Sequence, residues 1–192
     1  PKVKEAIEFS AENVRRFYAS RKPEGMEFTA VRPGVLAAER ATPVDSAGLY
    51  IPRGRGSFPS MLYMLAVPAR IAGVSHVAVA SPPNPDGSVD AGCLYTARVT
   101  GVGTVYRVGG AQAIAALAFG TESVVPVVKL VGPGSRYVTA AKRIVSSLVD
   151  TGLPAGPSES MILADDSADP RTVALDLLVE AEHGEDSCAL LI

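Results

Sequence analysis

The sequence predicts an α/β fold: a parallel sheet with helices covering both of its faces. Three observations predict it. Short apolar runs such as "HVAVASPP" (76–83) and "VVKLVGPG" (127–134) lack the polar alternation of a half-exposed strand, as expected where both faces are buried. They alternate with helical patterns, the arrangement of repeated strand–helix–strand units. The segments between them are rich in Gly and Pro, the residues that punctuate structure.

The elements follow in order. Residues 2–20 place apolar side chains at 3, 6, 7, 14, 17 and 18, the spacing of an amphipathic helix, and Pro23 and Gly25 end it. Residues 26–47 are mixed, with short strands expected near 26–31 and 41–45, and read as a lead-in arm. The composition changes near residue 48. "GLYIP" is a short apolar run and "RGRGSFPS" a loop. Residues 60–74 form a helix that Pro68 should kink or interrupt. A buried strand follows at 76–83, a turn at "NPDGSVD", a helix at 89–100 and a strand at 104–109. Next come a helix at 111–120 with a glycine stop, strand and loop at 127–134, and a helix at 135–149. A strand at 160–164, a helix at 170–184 opened by Pro170, and a strand at "CALLI" complete the chain. The domain reading is therefore 1–47 for the N-terminal helix and arm and 48–192 for the α/β domain.

Length and composition narrow the function. The chain has 192 residues, 47% hydrophobic and 20% charged, with a net charge of −2. That is enough for one hydrophobic core. The charge and the absence of a basic run argue against nucleic acid. No apolar stretch reaches the ~18–20 residues of a membrane span. Cys93 and Cys188 are too few for a disulfide framework or a Cys-rich zinc site, which fits a reducing, cytoplasmic setting. The chain opens at Pro1 without Met and stops inside an apolar run, so partial coverage of a longer protein is expected.

Ligands of open α/β sheets bind where strands end and loops begin. "IPRGRGSFPS", "VGGAQ", "VGPGSRY" and "PAGPSES" could each offer backbone N–H groups to an anionic or dinucleotide ligand. Any one of them also reads as an ordinary tight turn; several in one sheet favour a binding edge. No G-x-G-x-x-G opens a helix after a first strand, and there is no P-loop, so a dinucleotide would need another geometry. Glu180 and His183, three residues apart on a helix, share a face and are good partial ligands for zinc, although a zinc site needs about four. On spacing alone the simpler reading, a solvated acidic helix end with a histidine favoured by the helix dipole, is the stronger. His76, the other histidine, reads as an edge residue without a role. Ser158 lacks the strand–turn–helix setting of a nucleophile and reads as a hydrogen-bond donor to substrate or a cap.

The motifs "GLYIPRG", "MLAVPARIAGV", "VGGAQAIAALAFGTESV", "VGPGSRYVTAAKR", "PAGPSE" and "DLLVEAEHGEDS" occur in this order. Together they resemble histidinol dehydrogenase and its close relatives, from about residue 3 to 192. The resemblance implies an incomplete Rossmann-like sheet, here the first catalytic domain of the family. It also implies a homodimeric, zinc- and NAD-dependent alcohol dehydrogenase that takes L-histidinol through the aldehyde to L-histidine, the end of histidine biosynthesis. Position by position, it implies cofactor contacts at Tyr50, Gln112 and Ser135, a substrate contact at Ser158, and zinc ligation by Glu180 and His183. It thereby turns the reading of the last pair toward a half-built metal site. Three positions depart from the family pattern. Glu180 stands for a usual Gln, Ser135 for a usual Asn, and Arg53 for the second residue of a usual Pro-Gly-Gly. Arg53 adds a fixed positive charge that would suit an anionic substrate group, or simply faces solvent. The family's general-base Glu-His pair and its remaining zinc ligands lie beyond the matched segment, and no histidine follows His183. The expectation is a truncated chain, inactive by itself. Two other readings stay open: a related dehydrogenase acting on another alcohol, such as a sulfonated propanediol, and a ligand-binding domain without chemistry.

Overall fold

The structure is a computed structural model and describes residues 2–53, 56–153, 159–182 and 187–192. Two compact units emerge, Pro1–Pro154 and Ala155–Ile192.

The first unit opens with α1 (Lys2–Ala19), which buries Ile7 and Ala11 and packs on two later helices, α2 (Pro59–Ala72) and α3 (Ala91–Thr100). A hairpin follows, β1 (Phe28–Arg32) antiparallel to β2 (Val35–Ala38). The strand expected at 41–45 is thus found earlier, at Val35–Ala38. Pro33 and Gly34 explain the shift: Arg32 pairs with Val35, and Gly34 takes the positive φ (81°) of the tight turn between them.

The core sheet holds β3 (Ser46–Tyr50), β4 (His76–Ala80), β5 (Thr104–Tyr106) and β6 (Lys129–Val131), all parallel, in the spatial order β5-β4-β3-β6. Counted from the first strand of the sheet this is 3-2-1-4, the Rossmann-like order, with its reversal between β3 and β6. The side chains of β3 alternate between two cores. Ala47, Leu49 and Ile51 join Leu62 and Ala66 of α2 and Ala97 of α3 on one face. Tyr50 points to the other face, where Ile114 and Leu117 of α4 (Gly110–Phe119) and Val138 of α5 (Arg136–Val145) pack with Leu130. Leu49, Ile51, Leu62, Ile114, Leu117 and Leu130 are fully buried, each side chain contributing about 1.5–3 kcal/mol of transfer free energy. Gly48 permits the close approach of α4: a methyl group there would lie 3.0 Å from Leu130 and 3.1 Å from Leu117.

Helix α2 runs unbroken through Pro68. The missing N–H frees the carbonyl of Met64. Met64 is 50% exposed, on a side of the helix where water can satisfy it. At the far edge of the sheet, Asp150 extends the ladder by pairing with Lys129 through the backbone and an ion pair.

The second unit is a strand–helix–strand element: β7 (Glu159–Ile162), α6 (Pro170–Ala181) and β8 (Cys188–Leu191), the strands parallel. The Asp169 carboxylate caps α6 by accepting from the N–H groups of Arg171 and Thr172 and from the Thr172 hydroxyl. Among the described residues no helix is long and apolar enough to cross a membrane.

Candidate active site

The carboxyl ends of the four parallel strands define one edge of the first unit, and the residues expected to contact cofactor converge there. Tyr50 ends β3, directly at the strand-order reversal, and is 4% exposed. Its hydroxyl oxygen accepts the backbone N–H of Gly110 at 3.0 Å, which ties the end of β3 to the first residue of α4. The hydroxyl keeps its own proton to donate. Gln112, in the first turn of α4, is exposed and folds back over Gly110: a methyl group on Gly110 would lie 2.8 Å from its Oε1. Gly110 adopts a φ of 69°, so the turn into α4 needs glycine for both conformation and space.

The loop after β6 closes on the same point. At Gly132, with φ 118°, a methyl group would lie 2.1 Å from the carbonyl oxygen of Tyr50, so this loop runs directly across the end of β3. Gly134 is equally close to α5, where a methyl would lie 2.5 Å from Val138. Ser135 then opens α5. It is exposed, and its side chain makes no capping hydrogen bond. Beneath the loop Lys142 is 7% exposed and donates from Nζ to the Gly132 carbonyl at 3.0 Å; burial pushes its ammonium pKa down.

Two tethers frame the other side of the edge. Arg53 is exposed and donates from Nη1 to the Pro83 carbonyl at 3.2 Å, joining the loops after β3 and β4. The Ser57 hydroxyl donates to Asp90, whose carboxylate also accepts the Cys93 N–H and so caps α3. Burial raises the Asp90 carboxyl, but the hydrogen bonds from Ser57 and Cys93 outweigh it and hold the group below its usual range. His76 begins β4 and so sits at the opposite, amino end of the sheet.

The metal candidates belong to the second unit. Glu180 lies in the last turn of α6 and is partly buried. His183 and Ser158 lie outside the described residues. Among the described residues no group of three or more His, Cys, Asp or Glu side chains is placed to hold a metal ion. Glu180 is therefore a chemically suitable oxygen donor, but the described residues do not complete a zinc site.

Sequence reasoning missed Lys142 and Asp90. The cue for Lys142 is its spacing: it stands four residues after Val138 and three before Val145, on the apolar stripe of its own helix.

The fold and this edge define an α/β protein of the Rossmann-like class, with its polar, glycine-lined loops gathered where the strand order reverses. Comparison gives the family. The histidinol dehydrogenase profile matches residues 1–192, and the chain belongs to that family. It is 57% identical over 190 residues to a histidinol dehydrogenase homolog of Rhizobium meliloti, covering 99% of this chain and 42% of that protein. It is 53% identical over 192 residues to a histidinol dehydrogenase of Synechocystis sp., covering 100% of this chain and 44% of that protein. The crystal structure of histidinol dehydrogenase from Elizabethkingia anophelis superposes with a TM-score of 0.94 at 41% identity, covering 100% of this chain and 44% of that one. The chain thus spans less than half the length of these relatives.

Proposed function

We propose that this chain forms the NAD-binding part of a zinc-linked alcohol dehydrogenase that oxidises L-histidinol to L-histidine, acting as a homodimer in its full form. The observation that carries the reading is the meeting of Tyr50, Gln112 and Ser135 at the strand-order reversal, in a chain of the histidinol dehydrogenase family. NAD bound at this edge would accept hydride from the alcohol carbon. Tyr50 would donate its hydroxyl proton to the nucleotide while Gly110 keeps the ring in place. Gln112 would offer amide hydrogen bonds, and Ser135 a hydroxyl that its own helix does not use. The close packing of Gly132 on Tyr50 and of Gly134 on Val138 would give the ligand a firm floor. Glu180 and His183 would supply two donors to zinc, which when bound polarises the alcohol oxygen, and Ser158 would supply a contact to substrate. The chain spans 42–44% of the length of its relatives, which supports the reading that these 192 residues do not turn over alone.

A second reading has its own support. Arg53 stands exposed on the same edge with one guanidinium N–H committed to Pro83, leaving further donors for a ligand. This favours a dehydrogenase of the same family acting on an alcohol that carries an anionic group.

The deciding experiment takes the longest natural form of the protein, loaded with zinc, and follows NADH formation with L-histidinol and a panel of other alcohols. Turnover of L-histidinol is the expected result. Silence with histidinol and activity on an anionic alcohol selects the second reading. Bound zinc without activity on any alcohol overturns both and leaves a binding domain. The 192-residue chain assayed alongside is expected to be silent.

A further inference from the structure

Lys142 is a cation at a helix position that packs into a core. It is 7% exposed, and Val138 and Val145 of the same stripe are 1% and 3% exposed. Among the described residues no carboxylate forms an ion pair with it. Burying an ammonium costs stability that a Leu or Met would not forfeit. Its Nζ reaches the Gly132 carbonyl at 3.0 Å.

That carbonyl belongs to the loop residue pressed on Tyr50. Gly132 and Gly134 are wedged against Tyr50 and Val138, and Pro133 between them has no N–H and a fixed φ. The orientation of the Gly132–Pro133 peptide decides how the loop enters α5 and where Ser135 stands. A charge-assisted hydrogen bond from below holds that peptide with its carbonyl turned inward. Pro133 gives that peptide no N–H; the exposed Ser135 hydroxyl makes no capping bond and the ammonium sits at the Gly132 carbonyl, a combination that suits an anionic ligand.

We propose that Lys142 is a positioning residue of the ligand edge: its bond to the Gly132 carbonyl sets the 132–135 loop against Tyr50 in the form that receives an anionic dinucleotide. This rests on the NAD-binding reading given above.

The test uses the longest natural form of the protein. Lys142→Met keeps most of the apolar bulk and removes the charge and donor; Lys142→Arg keeps both. NADH binding is read from the fluorescence of the nucleotide, and kcat and KM for NAD from turnover of the alcohol that the wild type oxidises. Lys142→Met is expected to raise the Kd for NADH and the KM for NAD roughly tenfold or more. It should leave kcat within about threefold. Lys142→Arg is expected to recover most of the loss. A folded Lys142→Met protein that binds NADH as the wild type does overturns the proposal, as does a fall in kcat with Kd unchanged. If Lys142→Met does not fold, Lys142→Gln, shorter and uncharged, is read against the same outcomes. A wild type that binds no NADH overturns the dinucleotide reading itself, an outcome distinct from any difference between variants.

Discussion

The phenol oxygen of Tyr50 receives the backbone N–H of Gly110, 60 residues further along the chain, at 3.0 Å. One hydrogen bond thus connects the central strand to the helix that packs on the face into which Tyr50 points. Tyr50→Phe leaves that N–H without its acceptor at a part-buried position. The expected loss is about 1–3 kcal/mol in thermal unfolding, with weaker NADH binding. Unchanged stability together with unchanged binding would show that the bond does not organise the edge.

Gly132→Ala meets a harder obstacle. The new methyl would lie 2.1 Å from the Tyr50 carbonyl oxygen, on a backbone at φ 118°. No side chain can yield there, because the obstructing atom is main chain. The expected outcome is a loss above about 3 kcal/mol or failure to fold, visible as a lowered Tm or as insoluble protein. A Gly132→Ala variant with the wild-type Tm would contradict the close approach of the two segments.

Gly48→Ala meets only side chains, the nearest being Leu130 at 3.0 Å and Leu117 and Val127 at 3.1 Å. Overpacking of this kind costs about 1–3 kcal/mol. Leu117→Ala alone costs about 2–5 kcal/mol. The double variant is expected to lose less than the sum, because the added methyl enters the space that Leu117 leaves. Strict additivity in denaturant unfolding would place the two groups out of contact.

Asp90 carries a pH dependence of known sign. Its folded carboxyl lies below the ordinary value of 3.8 after burial, which raises it, is outweighed by hydrogen bonds from Ser57 and Cys93. A group depressed in the folded state stabilises above its unfolded pKa, and that contribution is lost as pH falls through the folded value. Asp90→Ala should cost about 1–2 kcal/mol at neutral pH through the lost cap of α3. Its acid-unfolding limb should be shallower than that of the wild type. Parallel limbs in a pH series of Tm values would remove Asp90 from the account.

The sequence disclosed the fold wherever burial imposed a pattern. β4 and β6 stood out because strands covered on both faces carry apolar runs, and α1 because one face alone is apolar. The hairpin strand β2 did not, since all four of its residues are exposed and no periodicity marks an unburied strand. The continuity of α2 through Pro68 was not legible either, because a proline in an apolar helical pattern reads locally as a break. At the candidate site, the glycine-rich loops marked where the strands end, while the cofactor contacts proposed for Tyr50, Gln112 and Ser135 came from the resemblance. The bond between Tyr50 and Gly110 and the inward turn of Lys142 had no local signature: one spans distant segments, and the other looks like any helical lysine until its stripe is traced.

The strand order also has a consequence in time. β3 sits between β4 and β6, so one of its two edges can be covered only by a segment made much later. Val128 donates its N–H to the Ser46 hydroxyl across 82 residues of chain. At about 5–20 residues per second, a ribosome takes roughly 4–16 seconds to synthesise that interval. Throughout it the most buried strand of the protein offers an unpaired flank, the kind of surface on which nascent chains associate wrongly. Arrival of β6 completes the strand-order reversal and covers that flank for the first time.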